Sequence, residues 1–135
     1  MYKHILVPVA FDEAHDPSEA VAVARRLIDE DGQVSLLHVM ANVPSYVINY
    51  VPEGFQAEAQ TAIVASLEAM GGDLPNVKGV VEEGHAGKTI VKWGAANAVD
   101  CIVIASHKPG VQDIVLGSTA AQVVRHAKCA VHVTR

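Results

Sequence analysis

Aromatic side chains are scarce in this chain: Phe, Trp and Tyr make up 4% of its 135 residues, although half of all residues are hydrophobic. Without large rings the core has to be filled by Val, Ile, Leu and Ala, the palette of parallel strands covered by helices, which points to an α/β fold. Cysteine is nearly absent as well. Cys101 and Cys129 show no CxxC spacing, which leaves both as small buried hydrophobes of a reducing compartment. Basic charge is short: the formal charge is −5 and no basic run exceeds Arg25-Arg26, so the attraction that nucleic acid binding needs is missing. No apolar run reaches the 18 residues of a membrane span. The amino terminus "MYKHILVPVA" turns apolar after four residues and meets acidic "FDEAHD", without the charged n-region, h-region and cleavage site of a signal peptide. A soluble, cytoplasmic protein with no membrane insertion is therefore expected.

One domain over residues 1–135 follows from the length, which suffices to bury about two-thirds of the extended surface. Strand-like runs recur at 4–9, 33–39, 77–83, 101–106 and 129–134, with helix-like stretches between them. The first helix carries Asp16 as N-cap, Pro17 at its first position, Glu19 completing a capping box, an inward face of Val21, Ala24, Leu27 and Ile28, and Gly32 near its end. A second helix spans 56–70, with Ala59, Ile63, Leu67 and Met70 on one stripe, and a third runs from 87 to 98. The fourth opens at "GSTAAQVVRHA", with Val123, Val124 and Ala127 inward. Five strands alternating with four helices make a single doubly wound, open, parallel sheet, because right-handed crossovers put helices on both faces. Ligands in such a fold bind outside the carboxyl ends of the strands, here loops 10–16 and 107–118. Segment 41–56 is the one long connection and reads either as a lid or as a surface meander packing its aromatics on the second helix.

Several motifs suggest chemistry. "GHAGKT" (84–89) sits in the strand–loop–helix context of a P-loop, yet the glycine that motif needs five residues before Gly87 is Glu82, whose carboxylate would face the phosphates. Gly117-Ser118-Thr119 before the fourth helix is a stronger anion site, through the free N–H groups of 118–120, the helix dipole and two hydroxyls; the same three residues also serve as an ordinary N-cap. Seven histidines (4, 15, 38, 85, 107, 126, 132) include no HxxxH or HExxH pair, so no metal ligand set is expected beyond magnesium accompanying a nucleotide. No nucleophile–base pair is visible, so no catalytic residue is assigned. The acidic loop "AFDEAHD" would repel the phosphate of FMN.

Nearly the whole chain resembles the universal stress protein family, through "YKHILVPV", "LLHV", "EEG" and above all "ASHKPGVQDIVLGSTAAQVVRHAKCAVHV". The resemblance implies sheet order 3-2-1-4-5 and a regulatory domain that binds ATP or a related adenine nucleotide with Mg, with at most slow hydrolysis or autophosphorylation. It places adenine against Val9 and Val39, ribose near Pro8, Ala10 and Ala105, and phosphates against Ser106, His107, Lys108, Gly117, Ser118, Thr119 and Ala120. A homodimer through strand 129–134 and a regulated protein partner are also implied. The chain departs from the family's G-x2-G-x9-G-[ST] pattern: Ala105 and Lys108 replace the first two glycines, eight residues separate Lys108 from Gly117, and Ala10 stands in place of a ribose-side carboxylate. Lys108 offers a charge in compensation, and Asp12 lies on the same side as Ala10 if the strand continues. These departures leave a second reading, a nucleotide-free protein-interaction module of the same fold.

Overall fold

The computed structural model describes residues 1–11, 16–42, 46, 50, 54–106 and 116–135. Among these residues the chain runs β1 (Tyr2–Pro8), α1 (Ser18–Leu27), β2 (Ile28–Met40), α2 (Phe55–Met70), β3 (Val77–Glu83), α3 (Ala86–Ala96), β4 (Cys101–Ala105), α4 (Ser118–His126) and β5 (Ala130–Thr134). All strand pairs are parallel, in the order β3-β2-β1-β4-β5. This is the doubly wound sheet in the order expected from the sequence.

β1 is central, and its run Ile5-Leu6-Val7 is wholly buried on alternating faces. Ile5, Val7, Val34, Leu36 and Val103 pack beneath Val21 and Ala24 of α1 and Leu67 of α2. Leu6, Leu37, Ile102 and Ile104 pack beneath Ile90 of α3 and Ala120 and Val123 of α4. A strand covered on both sides has no polar face to alternate, hence its continuous apolar run. At the amino ends of the strands, polar groups lock the layers together. The His4 ring reaches Ser35 Oγ at 2.7 Å and the Asn97 carbonyl at 2.9 Å. Asp100 accepts from the backbone N–H groups of Lys3 and His4. The fully buried Ser35 hydroxyl is thereby satisfied.

Three expectations change. First, α1 stops at Leu27: Ile28 is extended (φ −78°, ψ 140°) and pairs with Tyr2, and Gly32 lies within β2. An apolar residue four after Ala24 fits either a helix stripe or a strand. What decides is Asp29-Glu30-Asp31, whose charges oppose the negative end of the helix. Asp29 instead pairs with the amino terminus and Lys3, and Asp31 with Lys3. Second, Val124 is 46% exposed, because the buried stripe of α4 runs through Ala120, Val123 and Ala127 and leaves residue 124 a step around the helix. Third, element ends shift: the first strand is Tyr2–Pro8 rather than 4–9, the second extends to Ile28–Met40, the third helix is Ala86–Ala96 rather than 87–98, the fourth strand ends at Ala105 and the fifth begins at Ala130. At its start α1 begins one residue later than expected: Pro17, not Asp16, is the N-cap and brings no side-chain cap, while Asp16 Oδ1, one residue earlier, accepts the Ser18 N–H at 2.9 Å. Cys101 is buried and Cys129 partly so, both as free thiols, and burial pushes the Cys101 thiol up to about 11. Most of the 41–56 connection lies outside the described residues.

Candidate functional site

The sheet order reverses beside β1, whose neighbours β2 and β4 lead the chain away in opposite directions. At that point a cavity of about 190 Å³ opens at the carboxyl ends of the three strands. Its floor is Pro8, Val9 and Ala10 after β1, Leu37, His38 and Val39 of β2, and Ile104 and Ala105 of β4. One wall is Asp16, Pro17 and Ala20 at the head of α1; the other is Ala86 and Ile90 of α3 and Thr119 of α4.

Three helices thus begin at one cavity, and each leaves its first backbone N–H groups outside its own hydrogen-bond ladder, with about half a positive charge at that end. They are not equivalent. Neither α3 nor α4 has a side-chain cap, whereas Asp16 occupies the head of α1 through its bond to Ser18. That bond from the Ser18 N–H holds the Asp16 carboxyl below its ordinary value, so it is a carboxylate at neutral pH. A phosphate brought beside it would be repelled by the like charge. Anions therefore favour the α3–α4 side.

His38 is the other titratable side chain of the lining. Its Nδ1 lies 2.9 Å from the Val9 carbonyl oxygen, which only accepts, so Nδ1 carries the proton of the neutral ring and Nε2 is an acceptor. The Phe11 ring meets it edge to face at 4.9 Å between centroids. The hydrogen bond and the ring contact hold the imidazole at the cavity's edge.

A model of the universal stress protein family matches residues 1–135. The chain belongs to that family. Universal stress protein G of Salmonella typhimurium is 31% identical over 142 aligned residues, covering all of both chains. Among solved structures, the universal stress protein UspA of Lactobacillus plantarum superposes with a TM-score of 0.73 at 27% identity, over 99% of this chain and 98% of that one. The universal stress protein of Archaeoglobus fulgidus in complex with dAMP matches with a TM-score of 0.64 at 18% identity, over 99% and 98% of the two chains, a likeness of fold.

In this universal stress protein the cavity brings together Pro8, Val9, Ala10, Val39, Ala105 and Thr119 from the residues singled out in the sequence. Ser106, Gly117, Ser118 and Ala120 lie outside its lining. Gly117 N–H donates to the Ser106 carbonyl, and Ser106 N–H donates to Thr134 O at 2.8 Å. These groups clasp the two ends of segment 107–116, and Gly117 N–H is not open to an anion. Gly117 is extended (φ −60°, ψ 155°), a conformation open to any residue. Ala120 is turned into the core, while Ser118 stands exposed at the head of α4. His107, Lys108 and Asp12 lie outside the described residues.

"GHAGKT" has a packing explanation. Gly84 has φ 141°, and a Cβ there would sit 2.7 Å from Thr89 Oγ1; a Cβ on Gly87 would sit 2.4 Å from Gln122 Oε1. The first glycine makes the turn and the second lets α3 and α4 touch, with Lys88 exposed away from the cavity. Sequence reasoning treated Asp16 as a cap alone and His38 as a strand residue, and passed over Ala86 and Ile90. The available signal for Asp16 was its position at the head of the first helix, in a loop already placed beside the ligand.

Proposed function

We propose that the cavity binds an adenine nucleotide, ATP with magnesium in its fullest form, and that occupancy regulates a protein partner during stress. The observation that carries this reading is the cavity at the switch point, entered by the uncapped amino ends of α3 and α4. The dAMP complex of the Archaeoglobus relative supports an adenine ligand on this fold. Val9 and Val39 offer an apolar slot for the base, with the sugar near Pro8, Ala10 and Ala105. The phosphates lie at the head of α4, against Thr119 and the N–H groups of 118–120, toward Ser106, His107, Lys108 and Gly117. At about 190 Å³ the cavity is smaller than the roughly 300 Å³ at the low end for whole ligands, which suits a base and sugar with the phosphates beyond its mouth. Magnesium would be held by the phosphates. A cytoplasmic location fits the two free thiols.

The assembly we infer is a homodimer through β5, an edge strand whose residues 130–134 carry no formal charge except on a protonated His132. The second reading, a nucleotide-free interaction module, is favoured by Ala10, which lines the cavity where the family pattern places a carboxylate. Heat-denaturing the purified protein and identifying any released nucleotide by absorbance and mass separates the two. An empty supernatant together with no calorimetric response to millimolar ATP refutes nucleotide binding.

A further inference from the structure

The two walls of the cavity offer opposite hydrogen-bonding chemistry. On the α3–α4 side the polar groups are donors: uncapped backbone N–H groups and the Thr119 hydroxyl. The two other polar side chains in the lining, among the described residues, are Asp16 at the head of α1 and His38 of the floor. Both present acceptors. One carboxylate oxygen of Asp16 is committed to the Ser18 N–H. The proton on Nδ1 of His38 is committed to the Val9 carbonyl, which leaves the Nε2 lone pair. A ligand complementary to both walls carries an anion at one end and a group with two adjacent donors at the other. A phosphorylated ribose has this polarity: the phosphate is acceptor-rich, and the vicinal 2′- and 3′-hydroxyls are two donors about one bond apart. Apart from His38 the side chains of the floor are apolar, so the base lies against Val9 and Val39 and leaves the donors to the sugar.

We propose that Asp16 and His38 together read the sugar diol, so that the cavity selects ribonucleotides over 2′-deoxyribonucleotides. The family pattern gives a ribose-side carboxylate to position 10; here Ala10 is silent, and a carboxylate returns to the same cavity from the cap of α1. The assignment rests on the nucleotide reading above and makes the helix cap a specificity residue. A ligand that carries the matching hydroxyl gains a hydrogen bond to a charged acceptor, which one without it cannot make.

The test is isothermal titration of the full chain and its Asp16→Ser variant with AMP and with 2′-dAMP. Serine keeps the helix cap and removes the second carboxylate oxygen. The unmodified protein is expected to bind AMP about tenfold tighter than 2′-dAMP, the range of a hydrogen bond to a charged acceptor. In Asp16→Ser the preference falls to about one, through loss of AMP affinity alone, with the melting temperature within about 2 °C of the parent's. Should the serine variant fold poorly, Asp16→Asn retains size and cap and is expected to show the same reduced preference. Equal affinity of the parent for both nucleotides overturns the diol assignment and leaves nucleotide binding standing, as does a preference that survives in the variants. Absence of binding by either nucleotide overturns both.

Discussion

Replacing Gly87 by Ala tests whether "GHAGKT" is a helix contact or a phosphate loop. A Cβ at position 87 would lie 2.4 Å from Gln122 Oε1, 2.8 Å from its Cδ and 3.1 Å from its Cβ. The first two atoms end a flexible side chain and can swing away, whereas the third moves only with the backbone of α4. Overpacking of this kind costs about 2 kcal/mol, and placing Ala instead of Gly inside a helix returns about 1 kcal/mol. The net loss is then about 1 kcal/mol, or roughly 4 °C in melting temperature for a domain of this size. In a Gln122→Gly background all three atoms are gone, the unyielding Cβ included, so the same replacement becomes neutral or slightly stabilising. Urea denaturation followed by circular dichroism on the four proteins gives a coupling of about 1 kcal/mol, larger than the ~0.5 kcal/mol scatter of independent sites. Additive effects within that scatter would refute the contact. Lys88→Ala, whose side chain is exposed, should leave nucleotide affinity within about twofold; a loss of binding there would restore the phosphate-loop reading.

Gly117→Val should abolish nucleotide binding while the fold survives, because valine adopts φ −60°, ψ 155° without strain and its methyls stand at the head of α4; calorimetry showing unchanged affinity would move the phosphates elsewhere. Val131→Pro removes a backbone donor in β5 and should dissociate the proposed dimer. Sedimentation equilibrium that finds the unmodified protein monomeric at tens of micromolar contradicts the assembly. The Asp29 carboxyl is held below its ordinary value first by its bond to the amino terminus and then by Lys3. A depressed folded value gives stability that is present above about pH 4 and is lost as pH falls through the folded value. Melting temperatures from pH 6 to pH 2 should therefore drop less steeply for Asp29→Asn than for the parent, and parallel curves would contradict this linkage.

The fold was legible because its strands are buried on both sides. Uninterrupted apolar runs such as "HILVPV" and "CIVIAS" have no other economical use in a chain with helical stretches between them, and the run at 77–83 matches β3 residue for residue. The end of α1 was not legible from periodicity. Ile28 satisfies a helical stripe as well as a strand, and only the pairing of Tyr2 with Ile28 and of Lys3 with Asp29 and Asp31 settles it, contacts that span about as much chain as the helix and the strand together. The floor of the cavity could be read at the strand ends, since Val9, Val39 and Ala105 follow from β1, β2 and β4. Of its walls, Thr119 could be read from the head of the fourth helix, and Ala86 and Ile90 could not. Ala86 and Ile90 flank Gly87, where α3 packs closely against Gln122 of α4, a long-range contact with no local signature. Asp16 was recognised as a cap, and a cap that also faces a cavity looks the same in one dimension.

The clasp formed by Ser106 and Gly117, anchored on Thr134, ties the end of β4 to the head of α4, and ten residues, 107–116, separate the two in sequence. Adding or deleting one residue alters the closure entropy of such a segment by only about 0.1 kcal/mol. The spacing between Lys108 and Gly117, one residue shorter than the family pattern, is thus nearly free in folding terms, and an inserted residue should leave the melting temperature within about 1 °C. The strand end and the helix head are held by contacts that do not depend on how many residues join them.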